Sequence, residues 1–100
     1  MIPLEYFLAL SGILFVIGAL GVLTKRNAIV VLMCIELMLN AANINFVAFS
    51  AYSGSMNGTI FALVSIAIAA AEVAVGLAII MNLYKARDTI NLDEINLLRW

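Results

Sequence analysis

Charge is scarce in this chain. Lys and Arg number 5, Asp and Glu 6, in 100 residues of which 66% are hydrophobic. A soluble domain carries about 25% charged and 45–50% apolar residues. Too little polar surface exists to cover a water-soluble fold, and the mean hydropathy of +1.17 agrees. The chain is therefore read as an integral membrane protein. A net charge of −1 leaves no basic patch, which excludes nucleic acid as a partner. Histidine is absent, and Cys34 is the sole cysteine, so the chain forms no internal disulfide, CxxC pair or zinc set. Cys34 lies in an apolar run and reads as a small buried apolar residue. A secretory signal is also lacking. Glu5 stands where a positive n-region belongs, and the first apolar run ends at Lys25 and Arg26 without a small-residue cleavage site. That run is a retained span.

Three apolar segments are present, each of about 20 residues or more, enough to cross a hydrocarbon core of roughly 30 Å. They predict an all-α protein of one three-helix transmembrane unit over 1–100, with helices at about 3–23, 28–49 and 60–83 and a tail over 84–100. Pro3 suits a first helical turn, where its missing N–H is not needed. Ser11, Gly18 and Gly21 form one row of small residues and Gly12 with Ala19 a second; such rows let membrane helices approach closely. A polar connection at 24–27 precedes the second helix, and a loop over 50–59 the third. Lys25 and Arg26 flank the first loop, Lys85 and Arg87 follow the third helix, and the second loop has no basic residue. By the positive-inside rule the first loop and the tail are cytoplasmic and the N-terminus external. Ile90, Leu92, Ile95, Leu97 and Leu98 alternate with polar residues in the tail, which either docks on the membrane or a partner or hangs loose. No internal repeat, linker or low-complexity segment is seen.

The informative stretch is 31–46, VLMCIELMLNAANINF. It is greasy enough for lipid yet holds Glu36 well inside. At about 100° per residue, Glu36, Asn40 and Asn43 fall within an arc of about 60°. Asn45 lies on the opposite face and makes separate contacts. On the third helix, Glu72 shares a face with Ser65, Ala69 and Gly76, again within about 60°. That small-residue face predicts tight packing on another helix with the acid at the seam. Glu36 lies roughly 12 Å from the cytoplasmic start of its helix and Glu72 roughly 15 Å from the cytoplasmic end of its own. The two acids thus sit at similar depths on adjacent antiparallel helices.

A charge at a membrane helix's centre costs on the order of 2.5–3.5 kcal/mol. No Lys, Arg or His lies in any span, so neither acid has an internal cation. Either the carboxyls are held protonated, or another subunit supplies a cation or a water-filled cavity. Both outcomes suit proton transfer. Asn40, Asn43 and Ser65 can hold water or hydrogen-bond one carboxyl state, and equally suit interhelical hydrogen bonds. Lys25 and Arg26 serve as topology signals. Three helices are too thin to enclose a pathway, which points to a small subunit of a larger membrane complex.

Several segments resemble the K subunit family of the proton-pumping NADH:quinone oxidoreductase, respiratory complex I, with its organelle-encoded and photosynthetic counterparts. They are GVLTKRN at the first loop, MCIELMLNAANINFVAFS in the second helix, IAAAEVAVGLAI in the third, and the ending NLLRW. The ending and NAANINFVAFS look most like the cyanobacterial and chloroplast branch. The resemblance implies a subunit packed between quinone-proximal and antiporter-like subunits in the membrane arm. By position, it carries over to Glu36 and Glu72 a place in the buried chain of charged groups and water that links quinone reduction to proton translocation. The family's basic loop pair maps to Lys25 and Arg26, the first a Lys where Arg is common. The resemblance also implies that flavin, iron–sulfur clusters and quinone belong to partner subunits and that this chain holds no cofactor. The membrane is then a bacterial inner membrane, or a thylakoid or organelle inner membrane.

Other membrane classes fit less well. Small subunits of multisubunit cation/proton antiporters generally lack the paired glutamates. A rotary proteolipid shows two helices, one acid and a denser glycine stripe. A small multidrug/proton exchanger has four helices and an acid in its first span. A purely structural assembly subunit needs no titration at Glu36.

Overall fold

The computed structural model describes residues 2–88 and 90–94. Helix α1 spans Leu4–Thr24, α2 Ala28–Ser53 and α3 Asn57–Arg87, and one 3-10 turn, Leu92–Glu94, follows. All three α-helices are long and apolar enough to cross a bilayer. Pro3 stands immediately before α1 with ψ 144° rather than inside it, and its carbonyl accepts the Tyr6 N–H at 3.1 Å. Asn27 caps α2, its Oδ1 accepting from the N–H of Ile29 at 2.9 Å and of Val30 at 3.2 Å. Two of the donors that a first turn leaves without intrahelical partners are thereby satisfied.

The second connection is shorter than the 50–59 loop expected from sequence, because α2 runs to Ser53 and α3 starts at Asn57. Serine hydroxyls explain the difference. Ser53 Oγ donates back to the Ser50 carbonyl at 3.4 Å, Ser50 Oγ donates to the Ser55 carbonyl, and Ser55 Oγ accepts the Asn57 N–H at 3.2 Å. Thr59 Oγ1 joins the same cluster through Ser50 Oγ at 3.0 Å. Polar residues that read as loop are thus absorbed into two helix ends. The chain turns at Gly54, whose φ of 73° is a left-handed conformation open to glycine without a Cβ penalty.

Helix α2 is the central element. It packs on α1 along one face and on α3 along another, while α1 and α3 scarcely meet. The seams are built from small residues. Ser11 and Gly18 are buried on α1, and Ala62 and Ala69 are buried on α3. A Cβ at Gly18 would stand 2.6 Å from Met38 Cγ and 2.8 Å from the Cys34 carbonyl oxygen, and one at Gly21 would collide with the Cys34 side chain. The second small row is not a seam, since a Cβ at Gly12 would meet nothing within 4 Å. On the other side, Gly58 lies against the Phe46 carbonyl and Gly76 against Leu32, with the Phe46 and Phe61 rings 6.4 Å apart.

Small residues line the inside and large apolar ones the outside. Among the described residues the buried apolar ones are alanines, 28, 41, 48, 62 and 69, whereas Leu23, Tyr6, Met33 and Leu63 are each more than half exposed. In water such a surface would be an aggregation liability. In lipid it has no such cost, and close backbone approach supplies the packing.

The tail does not hang loose where it is described. Asp88 takes a left-handed φ of 56° as the α3 C-cap, and its N–H bonds to the Tyr84 carbonyl at 2.6 Å. The chain then returns to the first loop. The Ala28 N–H donates to the Ile90 carbonyl at 2.9 Å and the Leu92 N–H to the Arg26 carbonyl at 2.8 Å, and Arg26 pairs with Asp93 at 3.0 Å. Ile95, Leu97, Leu98 and the NLLRW ending lie outside the described residues.

Candidate functional site

The α2–α3 register fixes where the two acids stand. Leu32 touches Gly76, Phe46 touches Phe61, and Ser50 bonds to Thr59. In each pair the residue numbers add to nearly the same value, as antiparallel helices require, and that register sets Glu36 opposite Glu72. Glu36 lies one turn from Leu32, and Glu72 one turn from Gly76, on the same side of that contact. Glu72 is also the midpoint of α3, 15 residues from either end of Asn57–Arg87. The acids are level with each other, as counting along the sequence expects.

They open differently. Glu36 is half-buried, and its Oε1 is enclosed without a hydrogen-bond partner. Glu72 is exposed and lines a shallow groove of α3 with Ile68, Ala71, Val75, Gly76 and Ile79. Ala62, Ala69 and Gly76 make the seam with α2. Glu72 falls about 60° round the helix from Ala69 and so lies at the seam's outer edge rather than within it.

Asn40 and Asn43 line another, larger groove, of about 640 Å³, between the N-terminal half of α1, the C-terminal half of α2 and Ile66 of α3. Asn40 is exposed there. Asn43 is 5% exposed, and both of its amide atoms are enclosed without partners. A buried polar group left without a hydrogen bond costs about 1–3 kcal/mol. Glu36 Oε1 and the Asn43 amide are thus enclosed polar groups within one stripe of one helix, where such a cost falls unless a partner or water meets them. Ser65 is half-buried on α3. Glu36 and Asn43 share a stripe, Asn40 stands at its open side, and Glu72 faces away across the seam.

Lys25 and Arg26 are both exposed, but their partners differ. Arg26 is tied to Asp93, whereas no ion pair to Lys25 occurs among the described residues. Ser11 and Asn45 form a contact that sequence reading did not specify, Ser11 Oγ donating to Asn45 Oδ1 at 2.7 Å across the α1–α2 seam. The small row through Ser11 and the placement of Asn45 opposite Glu36 were its only signals. The Asn27 cap had a plainer one, an Asn directly before an apolar run. Nothing local announces the Arg26–Asp93 pair, which joins residues far apart in the chain.

Three membrane-length helices, seams of small residues and intramembrane acids without cations define a small multi-pass membrane protein built to work among other polypeptides. The family model described as NADH-ubiquinone/plastoquinone oxidoreductase chain 4L matches residues 6–100. The chain is 51% identical over 100 residues to NADH-quinone oxidoreductase subunit K 2 of Geotalea uraniireducens, covering all of both chains. It is 55% identical over 96 residues to NADH-quinone oxidoreductase subunit K of Anaeromyxobacter sp. strain K, covering 96% of this chain and 97% of that one. Against NAD(P)H-quinone oxidoreductase subunit 4L of Synechococcus sp. strain JA-3-3Ab, identity is 53% over 102 residues with both chains fully covered. The chain belongs to the K/4L subunit family of NADH-quinone oxidoreductase, a proton-translocating complex of several subunits. Bacterial and cyanobacterial relatives stand at similar identity, so the likeness of NAANINFVAFS to the cyanobacterial branch does not place the chain in it.

Proposed function

We propose that Glu36 and Glu72 are proton-transfer carboxyls of the membrane arm, in the path that couples quinone reduction to proton translocation. One observation carries the reading. Glu36 holds a carboxyl oxygen enclosed and unpartnered in a span with no cation, level with a second acid on the next helix. Intramembrane acids are expensive and are kept where they do work. Asn40 and Asn43 serve Glu36 by holding water or hydrogen-bonding one of its protonation states, and Ser65 does so from α3. Lys25 and Arg26 set the first loop on the cytoplasmic side, with the N-terminus external. The neighbours are quinone-proximal and antiporter-like subunits, which supply the cations or water that this chain lacks. Flavin, iron–sulfur clusters and quinone reside in those and other subunits. The membrane is a bacterial inner membrane, with thylakoid and organelle membranes as the equivalents.

The test is Glu36→Gln in the assembled complex. Quinone reductase activity coupled to proton translocation should fall by roughly 10²-fold or more, the scale at which positioned proton-transfer groups act. Restoring an acid one turn away, as Glu36→Gln with Met33→Glu or with Asn40→Glu, should return part of it. A fully assembled Glu36→Gln complex with normal reductase and pumping rates would refute the relay. Glu72→Gln should weaken coupling less, because Glu72 has no amide stripe beside it.

A further inference from the structure

The returning tail builds a third crevice, at the basic end of the bundle. It measures about 300 Å³ and is lined by Ile29 of α2, Ile80, Met81, Tyr84 and Lys85 of α3, and Ile90 of the tail. Ile90 is held in place by its carbonyl, which accepts the Ala28 N–H at 2.9 Å. The tail thus supplies a third wall to what would otherwise be an open seam between two helices. Four of the six lining residues are aliphatic or thioether side chains. The other two, Tyr84 and Lys85, are exposed and adjacent, within a turn of the α3 end at Arg87.

We propose that this crevice binds one anionic phospholipid, with the phosphate on the Lys85 ammonium and the Tyr84 hydroxyl and an acyl chain along Ile29, Ile80 and Met81. The pairing follows from chemistry and place. The crevice is where the helices leave the lipid, at headgroup level, where Tyr and Lys side chains put polar tips in water and stems in the hydrocarbon. A cation beside an apolar slot between membrane helices recognises an amphiphile with a negative head. A free anion gains nothing from the slot. A partner helix, about 10–12 Å across with its side chains, does not enter a space of this size walled on three sides. Among the described side chains, no acid pairs with Lys85. Asp93 is committed to Arg26, and Asp88 does not line the crevice. The inference is independent of the glutamate relay.

The experiment uses the assembled complex in bilayers of phosphatidylglycerol and phosphatidylcholine. Tyr84 is replaced by the photo-crosslinker p-benzoylphenylalanine, and the adducts on this chain are identified by mass. A phosphatidylglycerol adduct is expected. It should be lost when Lys85→Gln is added and kept with Lys85→Arg. Native mass spectrometry of the complex without the crosslinker should show loss of a single bound phosphatidylglycerol in Lys85→Gln. It should show the same loss in Ile29→Trp, which fills the slot and leaves the charge. An adduct with another subunit, with phosphatidylcholine alone, or with nothing would overturn the proposal. So would a lipid complement unchanged by Lys85→Gln.

Discussion

Two glycines on α1 offer a sharp test of how this fold is held. Gly18 and Gly12 sit in the same helix, and alanine at either gains the same backbone propensity, about 1 kcal/mol. Their surroundings differ. A Cβ at Gly12 enters open space, whereas one at Gly18 comes to 2.6 Å from Met38 Cγ and 2.8 Å from the Cys34 carbonyl. Met38 has flexible torsions and can withdraw, but the Cys34 carbonyl is backbone in the middle of α2. Ordinary contact begins near 3.4 Å, so α1 must retreat from α2 by about 0.6 Å along that line. The retreat loosens dispersion contacts along the whole seam and stretches the Ser11–Asn45 hydrogen bond. Overpacking of this kind costs about 1–3 kcal/mol. The propensity gain cancels between the two variants. Gly18→Ala should therefore be less stable than Gly12→Ala by about 1–3 kcal/mol, between roughly fivefold and a hundredfold or more in the folding equilibrium. The assay is reversible unfolding of the full chain in mixed micelles, titrated with SDS and followed by loss of helix. Equal stability of the two variants, or a less stable Gly12→Ala, would refute the assignment of the α1 seam to the Ser11–Gly18–Gly21 row.

The same titration checks two more expectations. Ser11→Ala, Asn45→Ala and the double variant should give a coupling of about 0.6 kcal/mol and no more than about 1.7, the range for interhelical hydrogen bonds in membranes; zero coupling would mean that the 2.7 Å bond is not part of the stable fold. Asn27→Ala should cost about 1 kcal/mol by removing the α2 cap, with Asn27→Asp restoring most of it, and an Asn27→Asp chain as weak as Asn27→Ala would show that the cap is not what starts α2.

Much of this architecture was legible because lipid simplifies the code. A span must satisfy its own backbone, so twenty apolar residues can hardly be anything but a helix. The start of α2 at Ala28 agrees with the expectation drawn from its flanking Lys25-Arg26-Asn27. Its end does not, because Ser50, Ser53, Ser55 and Thr59 read as loop when taken as polar residues. They act instead as hydroxyls that bond to nearby backbone and to each other, so they extend two helices. The small rows were visible at turn spacing, yet Gly12 and Gly18 look alike in sequence. Only the neighbour decides which one is a seam. The tail's return to the first loop was illegible for another reason. Its bonds run from backbone N–H groups to carbonyls, which every residue has, and the Arg26–Asp93 pair spans most of the chain. At the site, the Glu36–Asn40–Asn43 stripe was plain from spacing. That Glu72 opens outward was not, since a 60° offset from Ala69 lies within the arc that the spacing treated as one face.

The offset changes what a two-carboxyl step can mean. On α2, residues 32, 46 and 50 face α3, and Glu36 stands about 50° from their mean direction, toward the groove that Asn40 and Asn43 line. On α3, residues 58 and 76 face α2, and Glu72 stands about 40° from them, away from Ile66, the α3 residue of that groove. The acids are level but open on opposite sides of the α2–α3 seam. One turn away Leu32 meets Gly76, where no side chain intervenes on α3. Beyond Asn43 the groove is lined by Ile44, Val47, Ala48, Ala51 and Tyr52. A transfer between the two acids would therefore cross the α2–α3 seam sideways.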